Sequence, residues 1–426
     1  MPEGGIENKL KEGTMEYWKQ YLGLFLKEED LEMARLVRSF VEKEIMPVRH
    51  LIDDDKDHTL IRKILQGLTN LGLQRAPFPK AYGGAESSSI VTASILHEEL
   101  SRGDSGICTA ANVTTWAWLP AIIAGNKAVL DAFAPSFCGN ELKMACFAMT
   151  EPGGAHGGGG CDIENPSLHG KKIRTIARLD GDEWVINGQK MWASNSGVAD
   201  LYCVLCTEDP ELGEDGIALI YVPNGVKGLS FGKWEKKAGM EADVNCAMYL
   251  EDVRVPKEFR AAGPKKDFEL LEYNIILARV LTGASVLGNA QATFEAVLEY
   301  TGQRIVADRP IRDHSIAAGM LADMAIAIET ARTYYLFTAY MLDHPEKYGP
   351  PTSNFIRSRA SIAKVYAADA TVMVTNKAME LMGAYGYARD YHVEKYWRDS
   401  KIVQLWEGGG QLGRFDVCRG YYECNL

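Results

Sequence analysis

Positive charge is scarce in this chain. Lys and Arg together number 46 against 57 Asp and Glu, a net charge of -11. A general nucleic-acid or anionic-membrane surface needs an excess of uncompensated cations, so both partner classes are disfavoured. No stretch reads as approaching the roughly 18 apolar residues needed to cross a bilayer. The opening Met1-Pro2-Glu3-Gly4-Gly5 lacks a basic segment followed by an apolar one, and the nine cysteines are odd in number and scattered. A reduced, cytoplasmic protein without membrane segments is the expectation. Cys203 and Cys206 have the spacing of half a zinc site, yet they lie in the apolar run Leu201-Tyr202-Cys203-Val204-Leu205-Cys206, and no second pair with ligand spacing follows. They read as structural, and no metal site is expected.

Several common signatures are also missing. In the glycine cluster Gly157 to Gly160, the G-x-G-x-x-G register starting at Gly157 places Asp162 where the last glycine is needed, and no Walker A lysine follows a glycine run. Gly103-Asp104-Ser105-Gly106 resembles a protease nucleophile segment but sits in a helical region, where that β fold has no place. His97-Glu98-Glu99 is not followed by a second histidine at metalloprotease spacing, and reads as a surface helix face.

What is present is a chain of 426 residues with 46% hydrophobic content, long enough for two or three structural units. Residues 28–142 carry apolar residues at helical spacing, as in Leu31, Ala34, Leu36, Val37 and Phe40. Residues 143–260 change to short β-rich runs, with Asn187-Gly188 expected as a hairpin turn. Residues 261–426 return to long helical patterns over Ala278 to Tyr300, Ser315 to Leu342 and Ser353 to Met382. The polar start, within 1–27, reads as a loose arm. The class is α+β, in the order helices, β unit, helices.

Three segments carry chemistry. The first is Phe147-Ala148-Met149-Thr150-Glu151-Pro152-Gly153, the second Ile186-Asn187-Gly188-Gln189-Lys190-Met191-Trp192-Ala193-Ser194-Asn195, the third Val393-Glu394-Lys395-Tyr396-Trp397-Arg398-Asp399-Ser400-Lys401-Ile402 followed by Trp406-Glu407-Gly408. On local sequence alone Glu407 is a capping or surface glutamate in a glycine turn. In order and spacing, however, the three together resemble the acyl-CoA dehydrogenase family over nearly the whole chain. The resemblance implies an N-terminal helical domain, a central β-barrel domain and a C-terminal helical bundle, with FAD and an acyl-CoA thioester at their junction. It puts Phe147, Met149 and Thr150 at the flavin's pyrimidine edge, Trp192 on the isoalloxazine and Ser194 near flavin N5. It makes Glu407 the base that removes the α-proton, with Gly408 beside the thioester and the β-hydrogen leaving as hydride. Hydrogen bonds to the thioester carbonyl would stabilise the developing enolate charge, and burial would make the carboxylate a better base.

The same resemblance places Arg304 on a flavin pyrophosphate across a subunit boundary, Arg279 near the CoA chain, and Cys161 where a serine usually faces the pyrophosphate. Ile276 stands where the family usually has aspartate, and Ala307 where it has phenylalanine. Gly157 to Gly160 belong to an insertion that is either a phosphate-cradling nest or an enlarged loop. Cys108, Thr109, Asn112 and Trp116 fall on the helix that contributes to the acyl pocket. No Arg or Lys lies between Gly106 and Gly125, which disfavours a dicarboxylic acyl group and leaves a short, branched or cyclic one. The implied assembly is a homotetramer that passes electrons to an electron-transfer flavoprotein. A same-fold flavin oxidase using O2 and a catalytically silent acyl-CoA-binding relative are the rival readings.

Overall fold

The structure is a computed structural model that describes residues 22–152 and 173–422. The glycine insertion, Cys161 and nearly all of the expected arm lie outside the described residues. The chain falls into two compact units: residues 1–50, 89–104 and 279–403 form one, and residues 51–88, 105–278 and 404–426 the other.

The first unit is helical. It holds α1 (Glu28–Phe40), α3 (Ile90–Gly103), the C-terminal part of α6 (Lys266–Gln303), α7 (Ser315–Asp343), α8 (Asn354–Met382) and α9 (Val393–Lys401). Ser89 caps α3 by accepting from Thr92 N, and Ser353 caps α8 by accepting from Ile356 N. α7 and α8 begin and end within a residue of where the apolar periodicity places them, whereas α6 starts at Lys266, well before the expected Ala278. Small residues let these helices approach closely. A Cβ on Gly288 of α6 would lie 2.0 Å from Glu98 O of α3.

Glu98 and Glu99 correct the reading of a surface face, for both are fully buried. Arg38 of α1 holds Glu99 through Nε and Nη2, each at 2.7 Å. Arg332 of α7 holds Glu98 Oε1 through Nη2 at 2.7 Å and donates from the same nitrogen to Gln291 at 2.7 Å, while Tyr335 OH donates to Glu98 Oε2. Buried carboxylates need such partners because desolvation alone costs several kcal/mol per ion. No local signal reveals them, since the arginines lie 61 and 234 residues away in sequence.

The second unit contains α2 (Thr59–Asn70), α4 (Ser105–Ala124), α5 (Lys127–Phe137), the β strands, the start of α6, and α10 (Gly409–Tyr422). The strands are β1 (Ala145–Ala148), β2 (Ile176–Asp180), β3 (Glu183–Lys190), β4 (Leu201–Thr207), β5 (Ile217–Pro223), β6 (Leu229–Trp234) and β7 (Cys246–Pro256). They form one seven-stranded sheet in the order β1-β4-β2-β3-β7-β6, with β5 also on β4. β1 runs parallel to β4, whereas β3–β7 and β4–β5 are antiparallel. β4 is buried on both faces and β7 alternates, as expected for a covered strand and a half-covered one. Cys203 and Cys206 are buried on β4, and burial pushes both thiols up.

Two expectations are corrected here. Asn187-Gly188 is not a hairpin turn but lies inside β3, where the pairing with β7 shifts register between Ile186 and Gly188. The turn joining β2 to β3 is Gly181-Asp182, with Gly181 at φ 62°. Gly188 is needed instead for a close approach, because a Cβ there would sit 2.6 Å from Thr175 Cα. The second correction concerns apolar length. Ser105–Ala124 and Lys266–Gln303 are each long and apolar enough to cross a membrane, with 56% and 83% of their apolar stretches buried in the protein. Scattered Ser, Thr and Asn hide this from a search for unbroken apolar runs. A helix buried in a protein core has the same composition as a spanning one.

The core of the second unit centres on Trp118 of α4, which meets Phe78 edge-on at 4.8 Å and Phe137 at 5.1 Å between ring centroids.

Candidate active site

The first two of the three segments meet where the chain leaves β1 and β3. The segment after β1 (Met149, Thr150, Glu151) pairs with the one after β3, where Met191 N donates to Thr150 O at 2.9 Å. Phe147 and Met149 are half-buried and pack against the core cluster. Lys190, fully buried, clamps the pair by donating to Met149 O at 3.1 Å and to Glu151 Oε1 at 2.7 Å. Glu151 also accepts from Arg174 N at 2.8 Å, Thr175 N at 3.0 Å and Thr175 Oγ1 at 2.7 Å. Burial pushes its carboxyl pKa up, but the Lys190 charge and these donors outweigh burial and hold it below the ordinary range.

Trp192 projects from this junction with 51% of its surface exposed and a left-handed backbone, φ 64°. Its carbonyl accepts from Asn245 Nδ2 at 2.9 Å, and Ser194 bridges to Asn245 as an isolated antiparallel pair. The Ser194 hydroxyl, half-buried, donates to Asp243 Oδ2 at 2.9 Å. Burial pushes the Asp243 carboxyl up to about 6, against the pull of Lys237 and the hydrogen bonds from Ser194 and Asn245. Next to it, Asn195 (φ 65°, fully buried) donates to Ala110 O at 2.9 Å and Ala145 O at 3.0 Å. One amide group thereby fixes the Trp192 turn against both α4 and β1.

That contact matters because α4 carries Cys108, Thr109, Asn112 and Trp116. Cys108 and Thr109 are buried, Asn112 and Trp116 half-buried. Asn112 Nδ2 lies 3.1 Å from Cys108 Sγ, and Thr109 Oγ1 donates to Ser105 O at 2.9 Å. Pro120 sits inside the helix, so Trp116 O loses its usual i+4 donor. Asn274 Nδ2 supplies one at 3.1 Å. One residue further on, the Tyr221 hydroxyl inserts into the ladder, accepting from Ala121 N at 3.0 Å and donating to Ala117 O at 2.8 Å.

Glu407 lies in the turn leading into α10, in the same unit as these groups. Three successive residues are left-handed there: Glu407 at φ 51°, Gly408 at 81° and Gly409 at 64°. Glycine enters that region freely, whereas a glutamate held there costs on the order of 1 kcal/mol. Glu407 is half-buried, and its Oε2 is sequestered from solvent.

Arg279 and Arg304 belong to the first unit. Arg279 is 2% exposed and donates from Nη1 to Ser361 Oγ of α8 at 2.8 Å. Arg304 is exposed, its guanidinium carbon 5.9 Å from the Tyr385 ring centre. Sequence reasoning missed the supporting residues Lys190, Asn195, Asp243, Asn245 and Asn274. Lys190 and Asn195 stand in the quoted segments, where a polar residue between apolar ones is the available signal. Nothing local marks Asp243 or Asn274. Among the described residues, no group of three or more His, Cys, Asp or Glu is placed to hold a metal ion.

Comparison with known proteins bears on the family and the fold. Residues 27–141, 146–253 and 268–421 match the N-terminal, middle and C-terminal domain models of acyl-CoA dehydrogenase. The chain is 32% identical over 392 residues to cyclohexane-1-carbonyl-CoA dehydrogenase of Syntrophus aciditrophicus, covering 92% of this chain and 96% of that one. Butyryl-CoA dehydrogenase of Megasphaera elsdenii superposes with a TM-score of 0.81 at 27% identity, over 92% of this chain and 98% of that one. A structure described as the electron transferring flavoprotein of Acidaminococcus fermentans gives 0.82 at 27%, over 94% and 99%. With its helical start, central sheet, helical end and full-length match, the chain belongs to the acyl-CoA dehydrogenases, a flavin-dependent family of oxidoreductases.

Proposed function

We propose that the protein oxidises the Cα–Cβ bond of an acyl-CoA thioester to the 2-enoyl-CoA, with Glu407 as the base and FAD as the cofactor. The residues present fit a flavin. Trp192 offers a half-exposed indole plane whose backbone is pinned by Asn245. Beside it lie the Met149–Thr150 main chain and the Ser194 hydroxyl, donors and acceptors suited to a ring's polar edge. FAD, when bound there, would supply a two-electron acceptor for the hydrogen that leaves the β-carbon.

The chain's own groups do the rest. Glu407 takes the α-proton onto its carboxylate, and its backbone N–H hydrogen-bonds the thioester carbonyl, so that charge developing on that oxygen is stabilised as the proton leaves. The observation that carries the assignment is the backbone of Glu407 itself, held left-handed ahead of two left-handed glycines with a carboxylate oxygen shielded from water. Such strain persists only where surrounding structure imposes it, and it clusters at functional sites. For the acyl group, α4 carries no cation between Gly106 and Gly125 and places Trp116 among the pocket candidates. A short, branched or cyclic monocarboxylic acyl chain is the reading, in keeping with the cyclohexane-1-carbonyl-CoA relative. Arg304, exposed beside Tyr385, serves a cofactor pyrophosphate of a neighbouring subunit in a homotetramer, and an electron-transfer flavoprotein accepts the electrons in the cytoplasm.

Anaerobic titration of the purified protein with a panel of acyl-CoAs, read by bleaching of the visible flavin band, tests this. Glu407→Gln should still bind the best substrate but bleach slower by about 10²- to 10⁴-fold. Bleaching as fast as wild type would remove Glu407 from the role.

A further inference from the structure

A hydroxyl has one hydrogen, and at Ser194 the structure shows where it goes. It is donated to Asp243 Oδ2 at 2.9 Å, which leaves the Ser194 oxygen to face any other neighbour with lone pairs only. Asp243 is 3% exposed. Its Oδ2 also accepts a longer bond, 3.3 Å, from Asn245 Nδ2, the same nitrogen that holds Trp192 O. Its Oδ1 is buried with no hydrogen-bond partner among the described residues. The nearest cation does not pair with the carboxylate, since Lys237 Nζ donates to the Asp243 main-chain oxygen at 2.6 Å. An ionised carboxylate here is therefore under-solvated, and one proton relieves it.

We propose that Asp243 is a positioning residue that sets the direction of the Ser194 hydroxyl hydrogen. When ionised it draws that hydrogen toward itself, and when protonated it donates to Ser194 Oγ and frees the hydrogen to point at the cofactor. This rests on the reading that Ser194 faces the flavin. A ring nitrogen that accepts a hydrogen bond in the oxidised cofactor and donates one in the reduced cofactor is then matched by opposite states of one serine. The only proton exchanged is the one Asp243 takes from or returns to solvent, so the device needs no further reactant.

Burial pushes the Asp243 carboxyl up to about 6, which brings the switch into a pH range where a flavoprotein can be handled. Other titratable groups face this corner. Lys237 lowers the Asp243 pKa by its charge, and the buried Cys146 thiol on β1, itself pushed up by burial, is coupled to Asp243. Glu241 accepts from Lys237 N at 2.9 Å, and His58, whose pKa burial lowers, interacts with both Lys237 and Glu241. None of these accepts or donates a hydrogen bond at Ser194 Oγ among the bonds described, so a titration that requires Ser194 separates Asp243 from all of them.

The test is the visible absorbance and midpoint potential of the flavin in the holoenzyme, followed across pH in wild type, Asp243→Asn, Asp243→Ser and Ser194→Ala. The expected result is a titration near 6 in wild type that is lost in either Asp243 variant and in Ser194→Ala. Asp243→Ser, smaller than the native side chain, keeps the test available should Asp243→Asn not fold. No titration in wild type overturns the proposal. So does one that survives in Ser194→Ala or in an Asp243 variant. If Ser194→Ala leaves the flavin spectrum and potential unchanged at every pH, the placement of Ser194 at the cofactor fails as well. If Ser194→Ala shifts them while the Asp243 variants behave as wild type, only the role of Asp243 fails.

Discussion

Lys190→Met removes the cation from the clamp that joins the segment after β1 to the end of β3. Lys190 is fully buried and Glu151 is 6% exposed, so the remaining carboxylate cannot turn to solvent. Breaking a buried pair by deleting one partner costs about 3–5 kcal/mol, much of it the penalty of the orphaned charge. The three remaining donors to Glu151, from Arg174 N, Thr175 N and Thr175 Oγ1, moderate that penalty. Met149 O loses its bond from Lys190, which adds about 1 kcal/mol. The expected loss at neutral pH is about 4 kcal/mol. The sign of its pH dependence follows from linkage. In wild type the Glu151 pKa is lowered from 4.5, so its contribution is present above that value and is lost as pH falls through the lower, folded one. In Lys190→Met, burial is no longer opposed by the lysine and the Glu151 pKa rises. Protonation then neutralises the orphan, and the penalty shrinks as pH falls. Thermal or urea unfolding of wild type and variant at about pH 7.5 and about pH 5 measures it. A penalty under about 1 kcal/mol at both pH values, or one that grows on acidification, refutes the clamp.

Asn195→Ala deletes donors to Ala110 O and Ala145 O and places alanine at a left-handed backbone. It should cost about 3 kcal/mol in unfolding and loosen flavin binding, read as faster loss of yellow colour on dilution. An unchanged denaturation midpoint and flavin affinity would contradict it. Gly288→Ala drives a Cβ to 2.0 Å from Glu98 O and displaces the strand of charges held by Arg332. It should lower stability by at least about 3 kcal/mol and reduce soluble yield; wild-type yield and melting would show that the two helices can separate at little cost.

How much of this was legible before folding varies with the range of the interaction. Two of the long helices were read to within a residue, at Ser315 and Ser353, because a 3.6-residue apolar repeat is a local signal, whereas the helix read from Ala278 starts at Lys266. The glycine at 188 was misread for an equally physical reason. Asn-Gly is the usual hairpin dipeptide, but the same glycine serves wherever backbone must pass close to another chain segment, and here that segment is Thr175. Glu98 and Glu99 were misread as solvated because a charge is normally exposed, and their partners Arg332, Tyr335 and Arg38 explain why these two are not.

By itself the sequence determined the order of helices, sheet and helices, the family, and the residues proposed to bear the chemistry, Glu407, Trp192 and Ser194 among them, because residue type and spacing are properties of the chain. Tertiary structure alone decided what surrounds them. The Lys190–Glu151 clamp and the carboxylate of Asp243 behind Ser194 both depend on contacts between segments far apart in sequence. Desolvation and hydrogen-bond geometry act on distances in space, and those exist only once the chain has folded.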